Sequence, residues 1–234
     1  MLAAHPSQLF LYDFILPIVM AIEQVEMANL FDSNIYLLSG DKTALIDAGT
    51  GFQSDEVIPS LKKMLNGRNL DFMILTHRHY DHVGGAGAVI KEFNPKVYAG
   101  KMDAEPLRKG DVTSTLGADF GGELEPMDVI DLNDGDVIDI GAHKLRVIET
   151  PGHTIGSISM YDEATGALFT GDTVFVGGIG RYDLPTASVD KLIESLRKLS
   201  ELDINGFYPG HGPYVTEGGS KHITNGLRML GVSK

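Results

Sequence analysis

A chain of 234 residues can build one sizeable core, and 43% hydrophobic with 22% charged residues is the balance of a globular protein, not of a disordered or fibrous one. Its 19 basic against 32 acidic residues give a formal charge of −13, a field that repels phosphate backbones and argues against nucleic acid as a partner. No cysteine is present, which excludes disulfides and thiolate metal ligands and fits a cytoplasmic location.

The first pattern is the apolar run LFLYDFILPIVMAI, residues 9–22. It is shorter than the about 20 residues a spanning helix needs, and it contains Asp13 and Pro17. No lysine or arginine precedes it, so it lacks the basic leader of a signal peptide and predicts no membrane association. It reads as an added strand or arm, residues 1–21, that packs on the domain or on a second copy in a homodimer; Met20 is an alternative start.

Strands are predicted over 22–27, 34–38 and 43–47, then, after a helix over 55–65, over 72–76. A helix over 85–92 leads to a strand over 96–99. Residues 101–127, with RKG, TSTLG and FGGELEP, are weakly patterned and read as a long functional loop. Further strands fall at 137–140, 144–149, 157–161 and 167–170. Ser188 can cap a helix over 189–199 that sets Val189, Leu192, Ile193, Leu196 and Leu199 on one face. A strand over 206–208 and a helix over 220–230 close the chain. No linker or low-complexity segment divides it, so residues 22–234 form one predicted domain of mixed sheets covered by helices. TALIDAG at 43–49 is faintly echoed by GALFTGD at 166–172, and FMILTHRH at 72–79 by FYPGH at 207–211, as two related halves with facing strand ends would be.

The chemistry concentrates at THRHYDH, residues 76–82, at the mouth of the apolar run FMIL. On extended backbone alternate side chains share a face, so His77 and His79 can grip one cation. Asp81 and His82 follow where the chain turns toward a helix and can aim at a neighbouring point. A lone histidine is more often a packed core residue, but four metal-competent groups in six positions have little structural use without a metal. ETPGHTIGS sets His153, and YPGHGPY sets His211, behind Pro-Gly turns that fix where the next side chain points. LFTGDTVF sets Asp172 just beyond a strand. Five histidines and two carboxylates are enough for two divalent metal ions, and this sulfur-free set suits zinc, with iron and manganese also fitting. A cation lowers the pKa of bound water toward ~7 and so supplies a hydroxide nucleophile. His5, His143 and His222 read as surface or packing residues, and Phe120, Tyr182 and Tyr214 are aromatics placed near loops where a pocket could form.

The order HxHxDH, PGHT, TGD, PGHG resembles the metallo-β-lactamase superfamily over nearly the whole chain, from about Ile22 onward. The resemblance implies an αββα sandwich of two mixed β-sheets flanked by helices, with metals at one edge between the sheets. It implies that His77, His79 and His153 bind one metal, that Asp81, His82 and His211 bind the second, and that Asp172 bridges them. Asp81 and Asp172 would also orient the attacking water. Asp47, in LIDAGTG, matches an acid that supports the site from behind. The cysteine-ligated β-lactamases are excluded by composition; His79 stands where the flavodiiron branch has an acid, which argues against that branch, and the acidic charge argues against the RNA-processing branches, which usually carry extra domains or a basic exosite. GDTVFVGGIGRYDLP is most similar to glyoxalase II-like thioester hydrolases and persulfide dioxygenases, in which a basic residue here contacts the thiol-derived part of the substrate. That residue is Arg181, followed by Tyr182. The expectation is therefore a binuclear hydrolase of a small-molecule thioester or ester, with a mononuclear iron persulfide dioxygenase and a lactonase as alternatives. Glyoxalase II proteins carry a further C-terminal helical region that helps hold glutathione. Here only residues 212–234 follow His211, so a smaller thiol carrier or a lactone fits as well.

Overall fold

Strands that are apolar on both faces need helices on one side and a second sheet on the other. The computed structural model, which describes residues 21–26, 32–141 and 143–232, satisfies that need with four layers. The first sheet contains β1 (Ala21–Val25), β2 (Ile35–Ser39), β3 (Thr43–Ile46), β4 (Phe72–Leu75), β5 (Lys96–Gly100) and β6 (Ile130–Leu132), side by side in that order. β1 to β3 are antiparallel and β3 to β6 parallel. Parallel neighbours require crossovers, and these are α1 (Ser54–Leu65), then α2 (Tyr80–Val83) with α3 (Ala86–Phe93), then α4 (Lys101–Lys109). The second sheet is built from β7 (Val137–Asp139), β8 (Lys144–Glu149), β9 (Ile158–Asp162) and β10 (Ala167–Gly171), all antiparallel, and ends on the parallel strand β13 (Phe207–Pro209). Between β10 and β13 lie a small hairpin, β11 (Val174–Phe175) and β12 (Gly178–Ile179), and the helix α5 (Val189–Leu199); α6 (Ser220–Met229) follows β13.

Successive residues of one strand enter different cores. Leu37, Leu45 and Met73 face outward onto Leu61, Leu65 and Val89 of α1 and α3. Tyr36, Leu38, Ile46 and Ile74 face inward onto Val147, Met160 and Phe169 of the second sheet. On the far side, Ile148, Tyr161 and Leu168 pack under Leu192, Leu196 and Ile223 of α5 and α6. The αββα sandwich expected from the sequence is therefore present. Ser188 caps α5 by accepting from the Lys191 amide at 3.4 Å.

Two expectations need correction. The stretch 101–127 is not one loop: α4 occupies Lys101–Lys109, and a single 3-10 turn spans Gly117–Phe120. Pro106 and the charged neighbours of Ala104 and Leu107 hid the helical period. β6 and the β11–β12 hairpin were also missed, because two or three residues are too few for an alternating pattern to stand out. The arm read over residues 1–21, the apolar run 9–22, His5 and Met20 lie outside the described residues, save Ala21 and Ile22, which open β1. No helix among the described residues is long and apolar enough to cross a membrane.

The inner core is pinned by aromatics. Phe169 stacks on Tyr208 at 4.9 Å between centroids, and Tyr36 meets both rings edge-on. Phe169 is fully buried. Phe169→Ala should cost about 3–5 kcal/mol, read as a lower denaturant midpoint at unchanged slope; an unmoved midpoint would contradict this packing.

Candidate metal centre

The strand ends converge on one edge of the sandwich because of register. In the first sheet Ile46 pairs with Ile74, so Asp47 leaves β3 beside the end of β4. Asp47 holds a left-handed backbone (φ 61°), and its amide donates to the Ile74 carbonyl at 3.0 Å. Its carboxylate accepts from the Thr76 amide at 2.8 Å and the Thr76 hydroxyl at 2.9 Å, which fixes the first residue of the histidine motif. In the second sheet Gly171 pairs with Pro209, and the Gly210 amide donates to the Gly171 carbonyl at 2.8 Å. Asp172 and His211 thus emerge next to each other. The Ile158 amide donates to the Thr76 carbonyl at 2.9 Å and joins the two sheets at this edge.

There the seven side chains named from the sequence come together. Their ligand atoms form three overlapping groups, each within 4.8 Å: His77, His79 and His153; His77, His82 and Asp172; Asp81, His82 and His211. His79 Nδ1 faces His153 Nε2 at 2.8 Å. Asp81 Oδ2 lies 3.1 Å from His211 Nε2. Asp172 stands between the groups, with Oδ1 at 3.2 Å from His82 Nε2 and Oδ2 at 3.5 Å from His153 Nε2 and 3.6 Å from His211 Nε2.

The other nitrogens show which atoms are free to ligate. His82 Nδ1 donates to Asp47 Oδ2 at 2.8 Å, and His153 Nδ1 donates to the Arg181 carbonyl at 2.8 Å. Each bond engages Nδ1 and leaves Nε2 as the atom that faces the centre. His77 Nδ1 lies 3.2 Å from the Thr76 hydroxyl, and its buried Nε2 has no hydrogen-bond partner among the described residues. An orphaned buried nitrogen is costly, and one grouped with His79, His153, His82 and Asp172 fits a cation. Nitrogen and carboxylate donors without sulfur suit a divalent metal ion.

The electrostatics agree. Burial holds His77 well below the ordinary imidazole value, reinforced by His82, His153 and His79. Burial, with His153 beside it, pushes His79 down to about 3. These rings are neutral and ready to coordinate. Burial opposes a charge on His82, but Asp172, Asp47 and Asp81 outweigh it and hold the ring well above its ordinary value. His211 is raised against burial by its hydrogen bond to Asp81 and by Asp172. Burial opposes charge on Asp172 too, yet His82, His211 and His153 keep it ionised.

His79, Asp81, His153, Asp172 and His211 line a cleft of about 490 Å3, and His77 and His82 are fully buried behind them. The cleft walls are Leu116, Phe120, Phe175, Ile179 and Leu184, with Asp119 and Arg181 at the rim. Arg181 makes a bidentate pair with Asp183 at 2.9 Å, and both are exposed. Tyr182 is exposed and is not among the residues lining the cleft. Tyr214 stacks on Tyr208 at 5.5 Å, away from the cleft walls. A larger groove, about 880 Å3, runs between α3 and residues 123–130 and touches none of the seven side chains. His143 pairs with Asp162 at 2.8 Å, and His222 is buried against the Phe207 ring. Sequence reasoning passed over Asp103 and Arg78, a buried pair behind the histidines, and the wall residue Leu116. An acid in the first turn of α4 was the available signal for Asp103.

A family model described as the metallo-beta-lactamase superfamily matches residues 28–211. A probable metallo-hydrolase of Methanocaldococcus jannaschii is 37% identical over 78% of this chain and 88% of its own length. A hydroxyacylglutathione hydrolase of Cereibacter sphaeroides is 32% identical over 78% of this chain, a match that spans only 63% of that enzyme. Among solved structures, TTHA1623 in a di-iron-bound form superposes with a TM-score of 0.71 at 30% identity, covering 86% of this chain and 98% of that one. The B3 metallo-beta-lactamase BLEG-1 superposes with a TM-score of 0.73 at 26% identity, covering 89% and 97%.

Gly210 permits the closeness of the two halves. A Cβ there would stand 2.3 Å from Asp172 Oδ1 and 2.7 Å from His82 Cε1. Gly210→Ala should fold but displace both side chains, lowering divalent-cation affinity by about 10- to 100-fold in a chelator competition. Unchanged affinity would show that the strand end has room to spare.

Proposed function

The chain belongs to the metallo-beta-lactamase superfamily, and on that premise we propose that it is a binuclear metal-dependent hydrolase of thioesters. The observation that carries this reading is the gathering of His77, His79, Asp81, His82, His153, Asp172 and His211, five of which line the cleft, with His77 Nε2 buried and without a partner among the described residues. His77, His79 and His153 would hold one ion, Asp81, His82 and His211 the other, and Asp172, which stands between the two groups, would serve both. A bound pair of divalent cations supplies an activated water at neutral pH and an electrophile for a carbonyl oxygen.

The chain's own groups do the rest. Asp81 and Asp172, both held ionised, orient the attacking water and take its proton. Leu116, Phe120, Phe175, Ile179 and Leu184 exclude solvent and receive an apolar acyl portion. The Arg181 guanidinium, at the rim, meets the thiol-derived portion by exchanging its pairing with Asp183. Tyr182, exposed beside it, reaches substrate that extends past the rim. The hydroxyacylglutathione hydrolases among the relatives support a thioester, and they are matched over 63% of their length or more. Zinc is the metal this donor set favours; the di-iron-bound form of TTHA1623 favours iron as the second choice.

The test combines metal analysis with thioester hydrolysis on one sample. About two divalent ions per chain with turnover is expected, with ions and turnover lost together in His77→Ala and in Asp172→Ala. Hydrolysis that persists in a metal-poor Asp172→Ala protein would sink the reading. So would about one iron per chain with oxygen uptake on a persulfide and no thioester turnover. Protons compete for the same atoms. Without cation, His82 and His211 titrate above the ordinary imidazole value, so both carry protons below neutral pH. Zinc uptake should therefore release protons and weaken as pH falls from about 8 to about 6. Uptake independent of pH in a pH-stat titration would contradict the assignment of His82 and His211 as ligands.

A further inference from the structure

One fully buried carboxylate, Asp103, has no place in the ligand set, yet it touches both loops that carry the three-histidine group. Asp103 lies in the first turn of α4, 0% exposed. Its Oδ1 accepts from Arg78 Nε at 2.7 Å and from the Gly156 amide at 3.1 Å. Its Oδ2 accepts from the Arg78 amide at 3.0 Å and from the Thr154 hydroxyl at 2.6 Å. Arg78 Nη2 closes the ion pair at 2.6 Å.

The sequence explains why these groups meet. Arg78 stands between His77 and His79 in the bend that follows β4, and its side chain reaches Asp103 and the Met102 carbonyl rather than the ligand cluster. Thr154 and Gly156 follow His153 in the turn before β9. Pro106 has no amide hydrogen, so the carbonyl of Met102, four residues earlier, is freed from the helical ladder. That carbonyl accepts from Arg78 Nη2 at 2.8 Å. Close backbone approach completes the joint: a Cβ on Gly156 would stand 2.4 Å from the Asp103 amide nitrogen, and one on Gly100 2.2 Å from the Gly156 carbonyl oxygen.

We propose that Asp103 is a positioning residue that sets the spacing of His77 and His79 against His153, and so the affinity of the three-histidine site. The inference rests on the metal assignment proposed above. Neither Asp81, His82 nor His211 is bound to Asp103 or Arg78, so the second site is left largely alone. A carboxylate that merely braced the fold would alter stability without selecting between the two sites.

The experiment is a zinc titration of metal-free protein against a chromophoric chelator. The step lost in His79→Ala marks the three-histidine site, and the step lost in His211→Ala marks the other. Asp103→Asn keeps the shape and some of the accepting oxygen but removes the charge. It should weaken the first step about 10- to 100-fold and the second by no more than about threefold. A folded Asp103→Asn protein, judged by circular dichroism, with both steps unchanged or both weakened equally overturns the proposal. If Asp103→Asn does not fold, Thr154→Val removes a single donor to Asp103. It should weaken the same step alone, by about threefold or more; no change in that step overturns the proposal. A wild-type protein with no step that His79→Ala removes would overturn the metal assignment itself, and this inference with it.

Discussion

Burying an imidazole is costly unless its ring nitrogens find partners, and that constraint organises the seam between the two sheets. Asp47 is its centre. One carboxylate fastens the end of β4 through both the amide and hydroxyl of Thr76, and also takes the Nδ1 proton of His82. The same logic recurs on the other side, where the Arg181 carbonyl takes the proton of His153 Nδ1. With the outer nitrogens engaged, the inner ones have nowhere to turn but the shared centre.

The sandwich supplies rigidity for this arrangement. His77, Asp172 and His211 follow closely on β4, β10 and β13, strands that are almost wholly buried, while Asp81 and His82 lie in α2. Close packing makes such ends poor at relaxing, so the geometry is set before a cation arrives. Glycine makes the approach feasible at two points. Gly171 takes a left-handed φ of 49° against Thr76, and Gly210 lies against Asp172 and His82. A rigid floor beneath walls drawn from the less regular segments 116–120 and 175–184 is a common division of labour, because loops can vary while the scaffold holds.

The strands and helices with a clear period were legible in the chain. α5 shows a capping serine and a full apolar face, and β8 an alternating run that the structure keeps from Lys144 to Glu149. What escaped was short or disguised. β6, β11 and β12 offer two or three residues each, and β6 is placed by pairing with β5, a neighbour distant in sequence. α4 was hidden by Pro106, which breaks the helical signal locally but is accommodated because Arg78 satisfies the carbonyl it frees.

The sequence by itself determined the chemistry: which residue types are available, that four of them crowd into THRHYDH, and that cysteine is absent. It also determined the layer pattern, since alternation along each strand dictates which side chains face which core. Tertiary structure alone decided which nitrogens are free, because that depends on Asp47 and the Arg181 carbonyl, partners 35 and 28 residues away along the chain. It alone decided that Asp103 joins two histidine loops, since hydrogen bonds spanning 25 and 51 residues leave no local trace. It also separated Arg181, at the rim of the cleft, from its sequence neighbour Tyr182 outside it. The chain bends at Tyr182, and only the fold says which of the two side chains meets the cleft.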